Sequence, residues 1–402
     1  MFHLGIDQFI SNKKLRQSLQ SKRISFLGHP ASQTKNCNHS LEELFQLKDI
    51  KITSAFGPQH GMRGEKQDNM IESQDYFDPE FKIPVFSLYG QVRKPTPEMM
   101  DTFDVLLVDL QDLGTRIYTF LTTVCYMIEA CAHYKKEIWI LDRPNPAGRP
   151  IEGILLQPQW ESFVGIGPIP MRHGLTIAEC AKWFVDFKKL DVHLVVVPMQ
   201  NYNINELPDF GWPQQDLTWI NPSPNATTLS MARCYPGTVI IEGTNLSEGR
   251  GTTRPLECLG APQINNKKWI EKIINKTPEW SKGCALRPCF FQPTFHKFNS
   301  QICAGFQIHV DFKKYNHFEF KPYRLVISAL RQLKELHPDF EIYRDFPYEY
   351  ETTRLAFDVI NGGPFVKQWI NDSHSTPQDL DLVFNQDEKI WEELTQKYKL
   401  YS

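Results

Sequence analysis

Five short apolar runs punctuate the first half of the chain: Ile24-Ser-Phe-Leu, Ile52-Thr-Ser-Ala-Phe, Val105-Leu-Leu-Val, Ile138-Trp-Ile-Leu and Val195-Val-Val. Four of them end abruptly in polar clusters: Gly28-His-Pro-Ala-Ser, Gly57-Pro-Gln-His-Gly-Met-Arg-Gly, Asp109-Leu-Gln-Asp-Leu-Gly-Thr-Arg and Asp142-Arg-Pro-Asn-Pro. Short continuous runs, rather than alternating ones, mark parallel strands buried on both faces. Between them, Leu41-Glu-Glu-Leu-Phe-Gln-Leu and the segment from Phe120 to Cys131 place apolar residues at helical spacing. Thr176 followed by Glu179 opens another helix as a capping box. Strands alternating with helices predict a doubly wound, mostly parallel sheet, whose ligand groups gather beyond the strand carboxyl ends. The polar clusters are expected to converge on one crevice.

The pattern changes after residue 200. From Tyr202 to Thr228 no period survives and Pro, Asn and Trp accumulate, as in a crossing between units. Beyond it, Cys303-Ala-Gly-Phe-Gln-Ile-His-Val alternates like a half-buried strand, and Pro322 to Leu333 has the period of an amphipathic helix. A chain of 402 residues is too long for one average core. Two domains are expected, an α/β unit over 1–230 and a smaller α+β unit over 231–402.

Composition narrows the function classes. The 44 basic and 47 acidic residues leave a formal charge of -3, with no long basic run, which argues against nucleic acid. No run approaches the roughly 18 apolar residues a membrane helix needs, and the N-terminus has no basic-then-apolar leader, so a cytoplasmic protein off the membrane is expected. The nine cysteines form no Cys-x-x-Cys pair; they are read as buried reduced thiols rather than a zinc site.

The clusters carry the candidate chemistry. Asp109, Gln111 and Asp112 follow one strand, with Arg116 and Tyr118 near the start of the next helix. Asp142, Arg143 and Asn145 repeat the theme between two rigidifying prolines. Arg172 and His173 stand just before a helix N-terminus, where an anion is favoured. The block from Ile241 to Arg254 sets Glu242, Glu248, Arg250 and Arg254 among glycines, a loop able to offer an arginine fork to a carboxylate. None of the glycine arrangements is a P-loop or a dinucleotide fingerprint. Carboxylates, histidines and arginines in one crevice suit hydrolysis of a polar, anionic, oxygen-rich substrate, leaving a glycosidase, a phosphatase and a sugar-binding module open.

Taken in order, several blocks resemble a known family. They include Phe56-Gly-Pro-Gln-His-Gly-Met-Arg-Gly, Pro84-Val-Phe-Ser-Leu-Tyr-Gly, Lys94-Pro-Thr-Pro-Glu-Met, the stretch from Asp104 to Arg116 and Leu141-Asp-Arg-Pro-Asn-Pro. Arg172-His-Gly-Leu-Thr, Pro222-Ser-Pro-Asn and Asn245-Leu-Ser-Glu-Gly-Arg-Gly-Thr continue the series. From about residue 20 to the C-terminus the chain resembles the NamZ-type exo-β-N-acetylmuramidases. The resemblance implies a Rossmann-like first domain, a smaller second domain closing the cleft, and release of terminal N-acetylmuramic acid from peptidoglycan fragments during cell-wall recycling. It implies no metal or nucleotide and a muramyl disaccharide or muropeptide as partner. Arg172, Arg250 and Arg143 are candidates for the lactyl carboxylate; Arg63 and Asn225 lie in matching blocks, and Gln59 and His60 are expected to line the −1 subsite.

The family pattern places a glutamate, the favoured acid, where this chain has Gln59. An amide cannot protonate a glycosidic oxygen as a carboxylic acid does. Glu65 or Glu72 supplies the acid, or Asp112 does, or the protein binds muramyl sugars as a catalytically silent muropeptide or amino-sugar binding protein.

Overall fold

The structure is a computed structural model that describes residues 1–64, 66–68, 70–207 and 210–401. The apolar runs of the first half become β1 (Arg23–Leu27), β2 (Lys51–Gly57), β5 (Val105–Val108), β6 (Glu137–Leu141) and β7 (Leu194–Val197). Two further strands, β3 (Tyr76–Phe77) and β4 (Pro84–Ser87), complete a seven-stranded sheet in the order β3-β4-β2-β1-β5-β6-β7. All neighbours are parallel except β3, which pairs antiparallel with β4 at the edge. Without β3, the six parallel strands taken in chain order lie 3-2-1-4-5-6, the Rossmann arrangement.

Alternation along each strand feeds two cores, which is why the runs are continuous. Leu106 and Val108 face the larger apolar cluster with helices Phe120–Tyr134 and Ile177–Lys188. Val105 and Leu107 face a second cluster with Phe9 and Leu41, from helices Gly5–Ser11 and Ser40–Phe45. The capping box at Thr176 forms as expected: its hydroxyl accepts from Glu179 N at 3.3 Å, and Glu179 accepts from Thr176 N at 2.9 Å.

The second half carries an antiparallel sheet in the order β8-β10-β9, formed by β8 (Cys258–Ala261), β9 (Ala285–Phe291) and β10 (Cys303–His309). The half-buried reading of β10 is corrected here. Every residue from Cys303 to Ile308 is buried, because the strand is central and Phe306 packs on Trp269 of helix Asn266–Lys276 at 4.8 Å. Helix Pro322–Leu336 lies alongside, accepting the Trp269 indole N–H at the Ala329 carbonyl, 2.8 Å away. The larger core runs without interruption from the parallel sheet into this half.

The last helix, Pro377–Thr395, returns to the first half. Its Trp391 indole donates to the His173 carbonyl at 2.8 Å, and its ring meets Trp183 edge-on at 4.9 Å. Among the described residues, no helix is long and apolar enough to cross a membrane. All nine cysteines are free; the reading of them as buried fails at Cys37, which is exposed, and at Cys284, which is half-buried.

Candidate active site

A Rossmann sheet normally leaves its crevice where the strand order reverses, here between β1 and β5. In this chain that place is filled with protein. His29 Nε2 accepts from Gln111 N at 2.8 Å, Ser32 donates to the Asp109 carbonyl, and Asp109 pairs with Arg143 at 2.5 Å. The open space moves sideways, to the end of β2 and beneath the second half.

Gly57 begins that displacement. A Cβ there would stand 2.6 Å from Met62 N, so only glycine lets the following loop fold back over the strand end. The turn closes with Gly61 N on the Pro58 carbonyl at 2.9 Å, and His60 is held at φ 70°. Gln59 and His60 thereby face a narrow pocket of about 40 Å³. Tyr118 and Thr119 enter it from the loop after β5, Ser223 and Asn225 from the crossing segment. Tyr235, Glu242, Arg250, Tyr348 and Glu349 come from the second half, so both halves build the site.

The charged groups form two linked sets. Arg250 holds Glu242 at 2.6 Å and Glu248 at 3.0 Å, Lys297 lies 2.9 Å from Glu248, and Tyr348 OH donates to Glu242 at 2.8 Å. Glu248 is fully buried, yet Lys297, His296 and Arg250 hold its carboxyl well below the usual range against the opposing cost of burial. The second set centres on Glu349. Gln59 Nε2 donates to Glu349 Oε1 at 2.9 Å, Tyr89 OH donates to Oε2 at 2.6 Å, and Thr119 OH donates to Gln59 Oε1 at 2.7 Å. Burial first, and the charge of Glu242 with it, push the Glu349 carboxyl up to about 7, against the two donors. His60 is driven down to about 4, chiefly by burial. It is therefore neutral at pH 7, and since Nδ1 donates to the Lys66 carbonyl at 2.8 Å, Nε2 is left as an acceptor.

Of the residues singled out from sequence, Gln59, His60, Tyr118, Asn225, Glu242 and Arg250 line this pocket. Glu65 lies outside the described residues. Glu72 stands on the outer rim, its side chain half exposed, tied to Arg93 at 3.3 Å and to Tyr350 OH at 3.0 Å. Asp112 accepts from Gly114 N at 2.7 Å through Oδ2, beside His173 Nε2 at 3.3 Å, while its buried Oδ1 has no hydrogen-bond partner. Arg63 is exposed and paired with Asp78 at 2.9 Å.

The remaining strand-end groups lie outside this pocket and make hydrogen bonds or ion pairs within the protein, as most buried polar groups do. Asp109 pairs with Arg143, and Gln111 donates to the Asp112 and Pro144 carbonyls at 2.9 and 2.8 Å. Arg116 donates to the Ile169 and Ile360 carbonyls, both at 2.9 Å. Asn145 bridges the Gly148 and Leu175 carbonyls, and Arg172 bridges those of Ala147 and Phe320. Asp142 takes the hydroxyls of Thr176 and Tyr401, each at 2.7 Å; His173 Nδ1 accepts from Leu175 N at 3.2 Å; and Glu248 lies behind Arg250. Sequence reasoning missed Glu349, Tyr348, Tyr235 and Tyr89. The available signal was Tyr348-Glu-Tyr-Glu, an alternation of aromatic and acidic residues with no apolar period around it.

The arrangement offers two carboxyl groups, a neutral imidazole and three tyrosine rings around one pocket. Among the described residues no cluster suited to a metal ion is present. Residues 24–230 match the family model described as the N-terminal part of exo-β-N-acetylmuramidase NamZ, and residues 233–401 match its C-terminal part. The chain is similar to the peptidoglycan β-N-acetylmuramidase NamZ of Bacillus subtilis (strain 168), at 36% identity over 99% of this chain and 90% of that protein. Among solved structures it resembles a DUF1343 family protein of Bacteroides fragilis, with TM-score 0.86 and 26% identity over 100% of this chain and 99% of that one. A second DUF1343 protein of the same organism, at TM-score 0.73, 24% identity and the same coverage, shares the fold.

Proposed function

The chain belongs to the NamZ family of exo-β-N-acetylmuramidases, and from that premise we propose that it is a glycoside hydrolase releasing terminal N-acetylmuramic acid from peptidoglycan fragments. One observation carries the proposal to this chain's own residues. A pocket that both halves build holds Glu242 and Glu349 together, beside Arg250, with tyrosine rings for walls. Two carboxyl groups flanking one sugar are what glycosidic cleavage asks of a protein. A sugar ring presents C–H faces to Tyr118, Tyr235 and Tyr348, while His60 Nε2, Ser223 and Asn225 offer hydrogen bonds to its hydroxyls. Arg250 is the basic group that the lactyl carboxylate meets in this pocket.

The substitution at Gln59 does not leave the pocket without an acid, which removes the main support for a silent binding protein. Nine free cysteines favour a reducing compartment, and so a cytoplasmic enzyme acting on muropeptides during cell-wall recycling. The test is a product assay on N-acetylmuramyl-β-1,4-N-acetylglucosamine with free muramic acid followed by chromatography. Release of both monosaccharides in equal amounts is expected. Saturable binding of the disaccharide without turnover would refute the reading.

A further inference from the structure

We propose that Glu349 is the proton donor of the reaction and that Gln59, standing where a carboxyl group is expected, is the residue that positions it. The inference rests on the muramidase reading above. Place is the first argument. The Glu349 carboxyl lines the pocket one hydrogen bond beyond the Gln59 amide, so this site has moved its acid by a single side chain rather than lost it.

Backbone conformation is the second. Tyr348 and Glu351 exchange both backbone hydrogen bonds, at 3.0 and 2.9 Å, around a two-residue turn with φ of 47° at Glu349 and 69° at Tyr350. Turns with both central residues at positive φ favour Asn-Gly, and a Glu-Tyr pair there is strained. The turn is pinned from outside. The Arg93 guanidinium lies 3.2 Å from the Tyr350 ring centroid, Glu72 accepts the Tyr350 hydroxyl at 3.0 Å, and Glu349 N lies 3.3 Å from Met70 Sδ. A strained turn held so firmly, with Glu349 turned inward, marks a functional position.

Complementarity to the reacting state is the third. The donors on Glu349 are an amide N–H and a phenol O–H, both of which strengthen as the carboxyl loses its proton. A charged glutamate at position 59 could not donate in this way. A bound lactyl carboxylate brings another negative charge beside Glu242, which holds Glu349 protonated until the transfer. In the step itself, Glu349 gives its proton to the glycosidic oxygen, and the C1–O bond breaks with its electron pair on that oxygen. N-acetylglucosamine leaves as an alcohol. One water adds its oxygen to C1 and restores one proton to the protein, so the balance is one water for two sugars.

The experiment compares the full-length wild type, Glu349→Gln and Gln59→Glu on two substrates, the disaccharide and the 2,4-dinitrophenyl β-glycoside of N-acetylmuramic acid. The second has a leaving group that needs no proton. Glu349→Gln is expected to lose about 10²–10⁴-fold on the disaccharide, to lose far less on the aryl glycoside, and to abolish the basic limb of kcat/KM. Gln59→Glu is expected to move that limb to higher pH, because two adjacent carboxyl groups share a proton. Equal losses on both substrates, or disaccharide activity within a few-fold of wild type, would overturn the assignment of Glu349. An unmoved limb in Gln59→Glu would overturn the positioning role. A wild type that cleaves neither substrate would refute the muramidase reading itself. Melting curves matching or exceeding the wild type show that Glu349→Gln is folded.

Discussion

Replacing Glu349 by glutamine should make the protein more stable at alkaline pH and leave it nearly unchanged in acid. The carboxyl titrates at 4.5 in a solvated chain and at about 7 in the folded pocket, chiefly through burial. The folded state therefore holds its proton more tightly, so stability is fully present below 4.5 and is lost as pH rises to 7. At about 1.4 kcal/mol per pH unit, the loss accumulates to about 3 kcal/mol above neutrality. Glutamine removes the titration without removing the fastenings. Tyr89 OH can still donate to the side-chain oxygen. The Gln59 amide can turn over, accepting from the new NH₂ while its own NH₂ donates to the Thr119 hydroxyl, which serves as donor or acceptor. The assay is urea denaturation of both proteins at pH 5, 6, 7 and 8.5. Their difference should grow by about 2.5 kcal/mol in favour of the variant between the ends of that series. A difference that stays level with pH, whatever its size, refutes the raised pKa.

Arg250→Met strips the guanidinium from two buried carboxylates, Glu242 and Glu248, and should cost about 3–5 kcal/mol, read as a fall in the urea midpoint. Gly305→Ala places a Cβ 1.8 Å from the Leu259 carbonyl oxygen and 2.7 Å from Gly260 Cα, so β10 and β8 must part. It should reach the upper end of the roughly 1–3 kcal/mol that overpacking costs, measured by the same denaturation.

The parallel strands could be read from sequence because burial on both faces leaves nothing but apolar residues in them, as in Val105-Leu-Leu-Val. β4 gives no such run, since Pro84 and Phe86 are only half-buried near the sheet edge, and two-residue β3 is exposed. β10 misled for the opposite reason: Gln307 and Cys303 look polar in an alternating pattern, but Gln307 is buried by a hydrogen bond to Glu257 at 3.2 Å. The site was legible only where it is local. Gln59 and His60 follow a strand, and Glu242 and Arg250 share a glycine-rich loop. Glu349 lies 290 residues from the amide it touches, and nothing near it in sequence says that it is buried. The rule of strand carboxyl ends pointed to Asp109 and Asp142, which are in the right layer and have been consumed by partners there, and to Asp112, which lies outside the pocket.

Asp142 shows why a raised pKa cannot by itself select the acid. Burial and the charge of Glu179 push it up to about 7, as high as Glu349. Yet both its oxygens are committed, to Thr176 OH, Ala178 N at 3.1 Å and Tyr401 OH, and it does not line the pocket of Gln59 and Glu349. Its task is mechanical: one carboxyl ties the C-terminal tail, a helix N-terminus and the end of β6 together, and its titration is common to wild type and Glu349 variants. Glu349 receives one donor per oxygen from side chains that themselves line or border a cavity, and its turn stores strain that a fastening would not need. Both groups are raised chiefly by burial, and what separates acid from latch is a free face toward a place where a substrate can sit. Glu349 has that face.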